Sequence, residues 1–256
     1  MKSNYKTIKI LILTSLLLLA SGCGMSGPQK PRLSLFIGVD ISGSFIKSGY
    51  FDESLDFLAH YIYAHLHGID KLEKPNVLFV SSIGGARPGE AKTFYPIQIF
   101  ENKSVDEIDT KLHELFPKDK QNDFTDFNAF FEQVAQTIRN KNLVLRPVSV
   151  VMVSDGKPDI KKDGHTDFRS LKLHPLERLS RNITIRLLYT DPVTGNKWET
   201  LVPRRRVKIW TQDAKVMTSW NDSTIYIPNE PISQEKRWVG WVKDNVDFGV
   251  RARRVD

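Results

Sequence analysis

Long apolar runs that alternate with helical patterns constrain this 256-residue chain more than any other feature. The runs lack the in-and-out alternation of a half-solvated strand, so both faces of each strand are expected to be buried. Apolar residues at helical spacing follow the first run, at Phe51, Leu55, Leu58 and Ile62. Buried strands separated by helices predict a doubly wound, mostly parallel α/β sheet with helices on both faces. Its strands are assigned to LSLFIGVD, NVLFVSSIGG, RPVSVVMVSDG and NITIRLLYTD.

Helices are expected between these runs. The stretch SVDEIDTKLHELF begins with Ser104 and has Glu107 three residues later, which is the pattern of a capping box. The helix in YFDESLDFLAHYIYAHLHGI is expected to stop at Gly68. Thr125 is predicted to open the helix in TDFNAFFEQVAQTIRNK, and LHPLERLSR is predicted to form a short helix.

The pattern is weaker after Tyr189. DPVTGN is interpreted as a turn, KWETLVP and RRRVKIW as strands, TQDAKVMTSW as a helix, and STIYIP as the last strand of the sheet. RWVGWVKDNVDFGVRARRVD alternates apolar and polar residues, which predicts an edge hairpin or tail. The expected organisation is therefore an α/β domain over residues 33–228 and a β-rich C-terminal extension over residues 229–256.

The N-terminal residues have the character of an export signal. Three lysines precede the apolar run ILILTSLLLLA, and small residues precede Cys23. This arrangement resembles a bacterial lipoprotein signal. The resemblance implies that residues 1–22 are removed and that Cys23 carries the lipid, palmitate included. GMSGPQKP then predicts a short tether over residues 23–32.

These features predict a lipid-anchored protein of the cell envelope. Gly24 stands where an aspartate would favour retention in the inner membrane, so the outer membrane, facing the periplasm, is expected. Cys23 is the only cysteine, which excludes intrachain disulfides. The formal charge of +7 falls to about +4 without the three lysines of the signal, and this mild excess, together with export, argues against nucleic acid as a partner.

A basic cluster lies in PRRRVKIW, at Arg204, Arg205, Arg206 and Lys208, and RARR repeats the pattern at 251–254. Such a cluster is most often a solvated face. The sharper hypothesis is contact with anionic lipid head groups or an acidic partner near the membrane.

Carboxylates and hydroxyls cluster where the predicted strands end. Asp40 ends the first strand and is followed by Ser42 and Ser44, with Gly43 between them to relax a tight loop. Asp155 ends another strand, and Thr125 precedes a helix. Ligands of parallel sheets gather at these carboxyl ends. The residues taken alone leave two interpretations open, namely turns and helix caps, or a site for a metal ion.

The order Asp-x-Ser-x-Ser, then Thr, then Asp-Gly resembles the metal-ion-dependent adhesion site of the von Willebrand factor A (vWA) family, although the flanks of Thr125 lack the usual glycine. The resemblance covers residues 33–228. It implies a Mg²⁺ ion, or Mn²⁺ or Ca²⁺, held directly or through water by Asp40, Ser42, Ser44, Thr125 and Asp155. It also implies an open coordination position that an Asp or Glu of a protein partner completes.

Enzyme readings are weaker, and no enzymatic activity is expected. Neither Ser42 nor Ser44 has the glycines of a nucleophile elbow. The histidines show no metal-ligand spacing and are taken as packing or surface residues: His60, His65, His67, His113, His165 and His174. The principal alternative to a metal-dependent binding protein is a metal-indifferent envelope scaffold of the same fold. Mg²⁺-assisted hydrolysis is a third, weaker alternative.

Overall fold

The computed structural model describes residues 30–247, except for 86, 88, 91, 121–123, 181 and 230–232. The side chains of residues 162 and 233–235 are outside the description. The predicted signal, Cys23, nearly all of the tether and the basic residues 251–254 also lie outside the described residues. The described chain from Pro31 onward belongs to one compact unit.

A six-stranded sheet forms the centre of this unit, in the order β3-β2-β1-β4-β7-β8. All neighbouring strands pair in parallel except the short edge strand β3, which is antiparallel to β2. This arrangement confirms the predicted mostly parallel sheet. Strands β5 and β6 form a separate hairpin. The strands are β1 (Leu33–Asp40), β2 (Pro75–Ile83), β3 (Tyr95–Pro96), β4 (Val148–Val153), β5 (Lys161–Lys162), β6 (His165–Thr166), β7 (Ile183–Thr190) and β8 (Lys208–Asp213).

Helices cover both faces of the sheet, as expected for a doubly wound fold. One apolar cluster packs α2, α3 and α8 on one face, and a second packs α4, α5 and α6 on the other. Within the described residues, no helix is long and apolar enough to cross a membrane. The helices are α1 (Gly43–Ile46), α2 (Phe51–His67), α3 (Val105–Leu115), α4 (Phe127–Asn140), α5 (His174–Glu177), α6 (Pro192–Leu201), α7 (Ala214–Met217) and α8 (Ser233–Asn245).

The chain reverses its direction of winding between β1 and β4. From β1 it moves outward to β2 and β3, and it later returns to the other side of β1 to form β4. The carboxyl ends of β1 and β4 therefore flank the switch point of the sheet, where a crevice opens in folds of this type. Asp40 ends β1, and Asp155 follows two residues after the end of β4.

The predictions for residues 191–202 were wrong. DPVTGN is not a turn, and KWETLVP is not a strand, because both belong to α6. The Asp191 side chain accepts a hydrogen bond from the backbone N–H of Thr194, and Pro192 occupies the first helical position. An N-cap aspartate followed by proline is a helix-start signal that also occurs in turns.

The C-terminal part was also assigned wrongly. No β-rich extension or hairpin forms over the described residues after 228, because residues 233–245 form α8. Its buried Trp238 and Val242, followed by Val246, recur every four residues, as on one face of a helix. STIYIP forms no strand either. The last strand is β8, which continues through Thr211 to Asp213, so the helix expected from Thr211 begins only at Ala214.

A buried ionic cluster fixes the end of α8 to the sheet. The Asp247 carboxylate lies 2.8 Å from His65 Nε2 and accepts a hydrogen bond from the Tyr61 hydroxyl at 2.8 Å. Arg186 Nε lies 3.5 Å from the same carboxylate. Burial acts to lower the pKa of His65, but the hydrogen bond and charge of Asp247 outweigh it, so the pKa of His65 is raised. Burial acts to raise the pKa of Asp247, and His65 and Arg186 outweigh it, so that pKa is lowered.

This cluster predicts a pH-dependent stability. A raised folded-state pKa of His65 contributes stability that is complete below the unfolded value of about 6.5 and is lost as the pH rises through the folded value. The lowered pKa of Asp247 contributes stability that is lost only in acid. We expect His65→Gln to remove part of the decline in the free energy of unfolding between about pH 6 and pH 9. Urea denaturation measures this free energy.

His67 provides the control because it lies exposed on the same helix. His67→Gln should leave the decline unchanged. Asp247→Asn should lower the free energy of unfolding by about 3 kcal/mol, since it leaves Arg186 and His65 without their carboxylate. Identical pH profiles for wild type and His65→Gln would contradict the assignment.

Candidate functional site

Asp40, the last residue of β1, lies at the switch point of the sheet and is fully buried. Its Oδ1 accepts a hydrogen bond of 2.8 Å from the backbone N–H of Ser42. Its Oδ2 accepts a hydrogen bond from the hydroxyl of Ser154, the residue that follows β4. The Asp40 carboxylate therefore joins the loop after β1 to the loop after β4, across the switch point of the sheet.

The two serines of the first loop converge. Ser42 is buried and Ser44 is exposed, and their Oγ atoms lie 3.2 Å apart. Ser42 is also the N-cap of α1, where its Oγ accepts a long hydrogen bond of 3.4 Å from the backbone N–H of Phe45. The position of Ser42 therefore fits both interpretations, a helix cap and a hydroxyl ligand of a metal ion. Gly43 begins α1 without a positive φ, so the loop does not need the conformational freedom expected of this glycine.

Thr125 is brought to the carboxyl end of β2 by a close backbone contact of the residue before it. Gly85 and Phe124 exchange two backbone hydrogen bonds of 3.0 Å each. Gly84 has a φ of +80°, and a Cβ atom there would lie 1.8 Å from the carbonyl oxygen of Phe124. Only glycine fits at this position, so Gly84 permits the Thr125 segment to approach the carboxyl end of β2.

Thr125 is not the cap of α4, and that prediction was wrong. The cap is Asp126, whose Oδ1 accepts a hydrogen bond of 2.9 Å from the backbone N–H of Ala129. The buried Thr125 is held by Asp159, whose Oδ2 accepts a hydrogen bond of 2.7 Å from the Thr125 N–H. Adjacent threonine and aspartate can both cap a helix, and the sequence alone does not separate them.

Asp155 lies in a turn with strict steric requirements. It is 9% exposed, and its Oδ1 accepts a hydrogen bond of 3.2 Å from the backbone N–H of Lys157. Gly156 has a φ of +75°, and its carbonyl oxygen accepts a 2.7 Å hydrogen bond from Nε1 of the fully buried Trp198. The Lys157 ammonium lies 3.4 Å from Asp155 Oδ2. Because this lysine is largely exposed, its side chain can move away when another cation approaches.

The electrostatics of the crevice favour a bound cation. Burial raises the pKa of Asp40 to about 6, and the charge of Asp155 adds to this effect. The hydrogen bonds from Ser154 and Ser42 act in the opposite direction but do not compensate fully. A buried carboxylate beside a second carboxylate is costly without a positive partner. The donors, hydroxyl and carboxylate oxygens, are those that Mg²⁺ and Ca²⁺ prefer, so the residues present fit a hard divalent cation.

A cleft borders the crevice on the side of β7 and β8. It is lined in part by Ser44, Asp155, Lys157, Asp191 and Lys215. Tyr189, at the end of β7, also lines it and has a φ of +73°, which is uncommon for an aromatic residue. A hydrogen bond of 3.1 Å from its hydroxyl to Glu53 Oε1 holds this conformation. The cleft gives a side chain from outside access to Ser44 and Asp155.

Four residues that support the site were not predicted from the sequence, namely Ser154, Lys157, Asp159 and Trp198. Ser154 and Lys157 flank the Asp155-Gly156 motif, so their proximity was available from the sequence, but their contacts were not. Asp159 and Trp198 act across 34 and 42 residues respectively, and only the tertiary structure reveals such contacts.

The basic cluster is divided by the structure. The Arg204 guanidinium donates hydrogen bonds to the carbonyl oxygens of Glu199, at 2.7 Å, and Val202, at 3.1 Å, near the end of α6. Arg205 and Arg206 are exposed, and Lys208 is partly buried on β8. Contact with an anionic surface therefore stays a prediction that concerns chiefly Arg205 and Arg206.

Comparisons with known proteins give structural neighbours only. No family model and no curated protein matches the sequence. Proximal thread matrix protein 1 from the mussel byssus is 10% identical, with 73% of this chain and 46% of that chain covered and a TM-score of 0.46. Human COPII-coat protein Sec24c is 8% identical, with 78% and 32% covered and a TM-score of 0.44. The SpRpn10 VWA domain is 13% identical, with 80% and 98% covered and a TM-score of 0.39. This chain spans less than half the length of the first two. At these scores, the α/β fold of this chain rests on its own strand order and pairing.

Proposed function

We propose that this protein is a vWA-like binding module that holds a divalent cation, Mg²⁺ or alternatively Mn²⁺ or Ca²⁺, at the carboxyl end of its sheet. The ligand set is Asp40, Ser42, Ser44, Thr125 and Asp155, acting directly or through water. The observation that carries the proposal is the placement of Asp40, held by Ser42 and Ser154, between the ends of β1 and β4.

The proposed function of the cation is to bind an acidic residue of a protein partner. A site that relies on neutral hydroxyls and few direct carboxylates leaves much of the charge of the ion unneutralised. An Asp or Glu that enters along the cleft beside Ser44 and Asp155 would complete its coordination, and Lys157 and Lys215 would favour the approach of an acidic segment. No chemical step is needed for this role, so the protein is proposed to bind rather than to catalyse.

The proposed location is the cell envelope, where the module is anchored to the outer membrane and faces the periplasm. Nucleic acid is not a proposed partner there. Support comes from the sequence of the N-terminal residues and from the short polar tether before β1. The competing function is a scaffold of the same fold that does not use metal, in which Asp40 and its partners only organise the loops. The Lys157–Asp155 ion pair is the observation that favours this alternative.

The metal site is tested by thermal unfolding. Mg²⁺ at a hundredfold excess over its dissociation constant should stabilise the wild type by about 2.7 kcal/mol, because it binds only the folded state. Asp40→Asn should abolish this shift. In chelator the same variant should unfold at a higher temperature than the wild type, since it removes a buried charge.

Ser154→Ala is the informative companion, because it removes a support of Asp40 but no proposed ligand. It should retain a weakened response to Mg²⁺. A wild-type melting temperature that responds to none of Mg²⁺, Mn²⁺ and Ca²⁺ would favour the scaffold.

Partner binding should depend on the cation. Capture of envelope proteins by the wild type should be lost in chelator and in Asp40→Asn. Lys157→Gln should retain metal binding, or increase it, because its ammonium competes for Asp155. Capture that is unchanged by chelator would show that the binding surface lies elsewhere.

The anchor is tested separately. Cys23→Ser should move the protein from the membrane fraction to the soluble fraction, because the acyl chains supply most of the membrane affinity. Fractionation in high salt distinguishes a lipid anchor from electrostatic attachment through Arg205 and Arg206. Retention of the variant on membranes under these conditions would contradict lipidation.

A further inference from the structure

Exposed basic side chains gather at the edge of the sheet opposite the crevice. Because β1, β2, β4, β7 and β8 run parallel, their amino ends lie along one edge, here called the amino edge, and the loops that precede these strands meet there. Exposed basic residues precede four of the strands: Arg32 before β1, Lys71 and Lys74 before β2, Lys141 before β4, and Arg205 and Arg206 before β8.

The nearest acidic groups leave this positive charge available. Glu177 Oε1 accepts hydrogen bonds from the backbone N–H groups of Arg205 and Arg206, so it fixes the loop rather than the two guanidinium groups. Among the described residues, neither guanidinium forms an ion pair, and both arginines are exposed. The Asp70 carboxylate is bound to Lys243 at 2.7 Å. The amino edge therefore presents exposed cations whose side chains can reach an anionic surface.

The loop between α4 and β4 adds an apolar tip to the amino edge. Leu145 is 73% exposed and Val144 is 44% exposed, and the basic residues Lys141 and Arg146 flank them. Leu145 also has a φ of +68°, an uncommon conformation for a bulky side chain. Its backbone N–H donates a 2.9 Å hydrogen bond to the carbonyl oxygen of Leu179, which holds the loop in place. Strained backbone that keeps a leucine in solvent is typical of a functional surface.

Hydrogen bonds join this tip to the basic loop and to the start of β1. The segment that carries Glu177 continues to Ser180, whose hydroxyl donates a 2.8 Å hydrogen bond to the carbonyl oxygen of Arg146. On the other side, the backbone N–H of Ser34 donates a 2.9 Å hydrogen bond to the carbonyl oxygen of Pro147. The apolar tip, the arginine pair and the start of β1 therefore belong to one continuous surface.

We propose that the amino edge binds the surface of an anionic phospholipid bilayer, with Val144 and Leu145 inserted at the level of the head groups. Exposed apolar side chains bounded by cations suit such an interface, because the apolar groups leave water and the cations meet phosphate. The chain enters β1 at this same edge, so a lipid attached upstream would hold the amino edge toward the membrane. The crevice, at the carboxyl ends of the strands, would then face a partner.

This inference goes beyond the proposed cation site and shares with the proposed function only the location in the envelope. The test uses the mature chain from residue 23 with Cys23→Ser, which contains the whole compact unit from Pro31 onward and carries no lipid. Co-sedimentation is measured at low salt in chelator, so that neither lipidation nor the cation site contributes. Vesicles of phosphatidylcholine alone are compared with vesicles that also contain phosphatidylglycerol.

We expect the parent chain to bind the phosphatidylglycerol vesicles and to release them as salt rises. Arg205→Gln combined with Arg206→Gln should weaken binding about 25-fold, at about fivefold for each charge. Leu145→Asn should weaken it about tenfold, because it removes the apolar side chain but keeps a residue that tolerates a positive φ. Urea denaturation checks that each variant is folded.

The matched controls follow the carboxyl ends of the strands in the chain. Lys47→Gln combined with Lys161→Gln removes two exposed charges, and Val193→Ser removes an apolar side chain that is 62% exposed. Both controls should bind vesicles as the parent does. The proposal is overturned if the parent binds both kinds of vesicle equally or not at all, or if the controls lose as much binding as the arginine pair. Unchanged binding by Leu145→Asn would overturn insertion of the apolar tip.

Discussion

The site depends on the burial of one carboxylate, that of Asp40, between two parallel strands. A buried aspartate is tolerated only when its oxygens are hydrogen-bonded or its charge is balanced. Here a loop N–H and the Ser154 hydroxyl meet both oxygens, and yet burial still raises the pKa of Asp40 to about 6. The hydrogen bonds therefore fix the position of the carboxylate without balancing its charge. A carboxylate that is fixed in position but whose charge is not balanced is suited to binding a cation.

Several backbone contacts around Asp40 serve to bring other loops close to it. Gly84 lets the Phe124 carbonyl approach the end of β2, and Gly156 lets the Asp155 turn pack against β7. Trp198 reaches from α6 to bond the Gly156 carbonyl, while its ring packs edge-on against Phe127, the first residue of α4. The helix after Thr125 and the turn after Asp155 thus share one buried aromatic contact. None of these residues presents an oxygen to the crevice, but each restricts where the oxygens lie.

The sequence predicts the centre of the fold better than its periphery. The strands β1 and β4 are buried on both faces, so continuous apolar runs identify them, and their ends place Asp40 and Asp155 correctly. Ser154 was not predicted as part of the site because a single hydroxyl before an aspartate has no periodic signal. Helix α8 was mistaken for an edge hairpin or tail because apolar and polar residues alternate toward Val250 in the sequence, whereas the four-residue spacing of Trp238, Val242 and Val246 becomes visible only over more than two helical turns. Thr125 precedes α4 as predicted but was given the role of Asp126, since the pairing with Asp159 that holds it is tertiary.

The chemistry of the oxygens in the crevice limits the kind of ion that it can select. In the crevice, oxygens alone are available and several belong to neutral hydroxyls, so a hard ion that retains water is favoured. The carboxylate of Glu53 on α2 shows the same contrast: Tyr189 and Trp220 both donate hydrogen bonds to its Oε1, whereas its Oε2 is buried with no hydrogen-bond partner among the described residues. Neutral donors therefore hold the Glu53 carboxylate in place without balancing its charge, so burial raises the pKa of Glu53 as it raises that of Asp40.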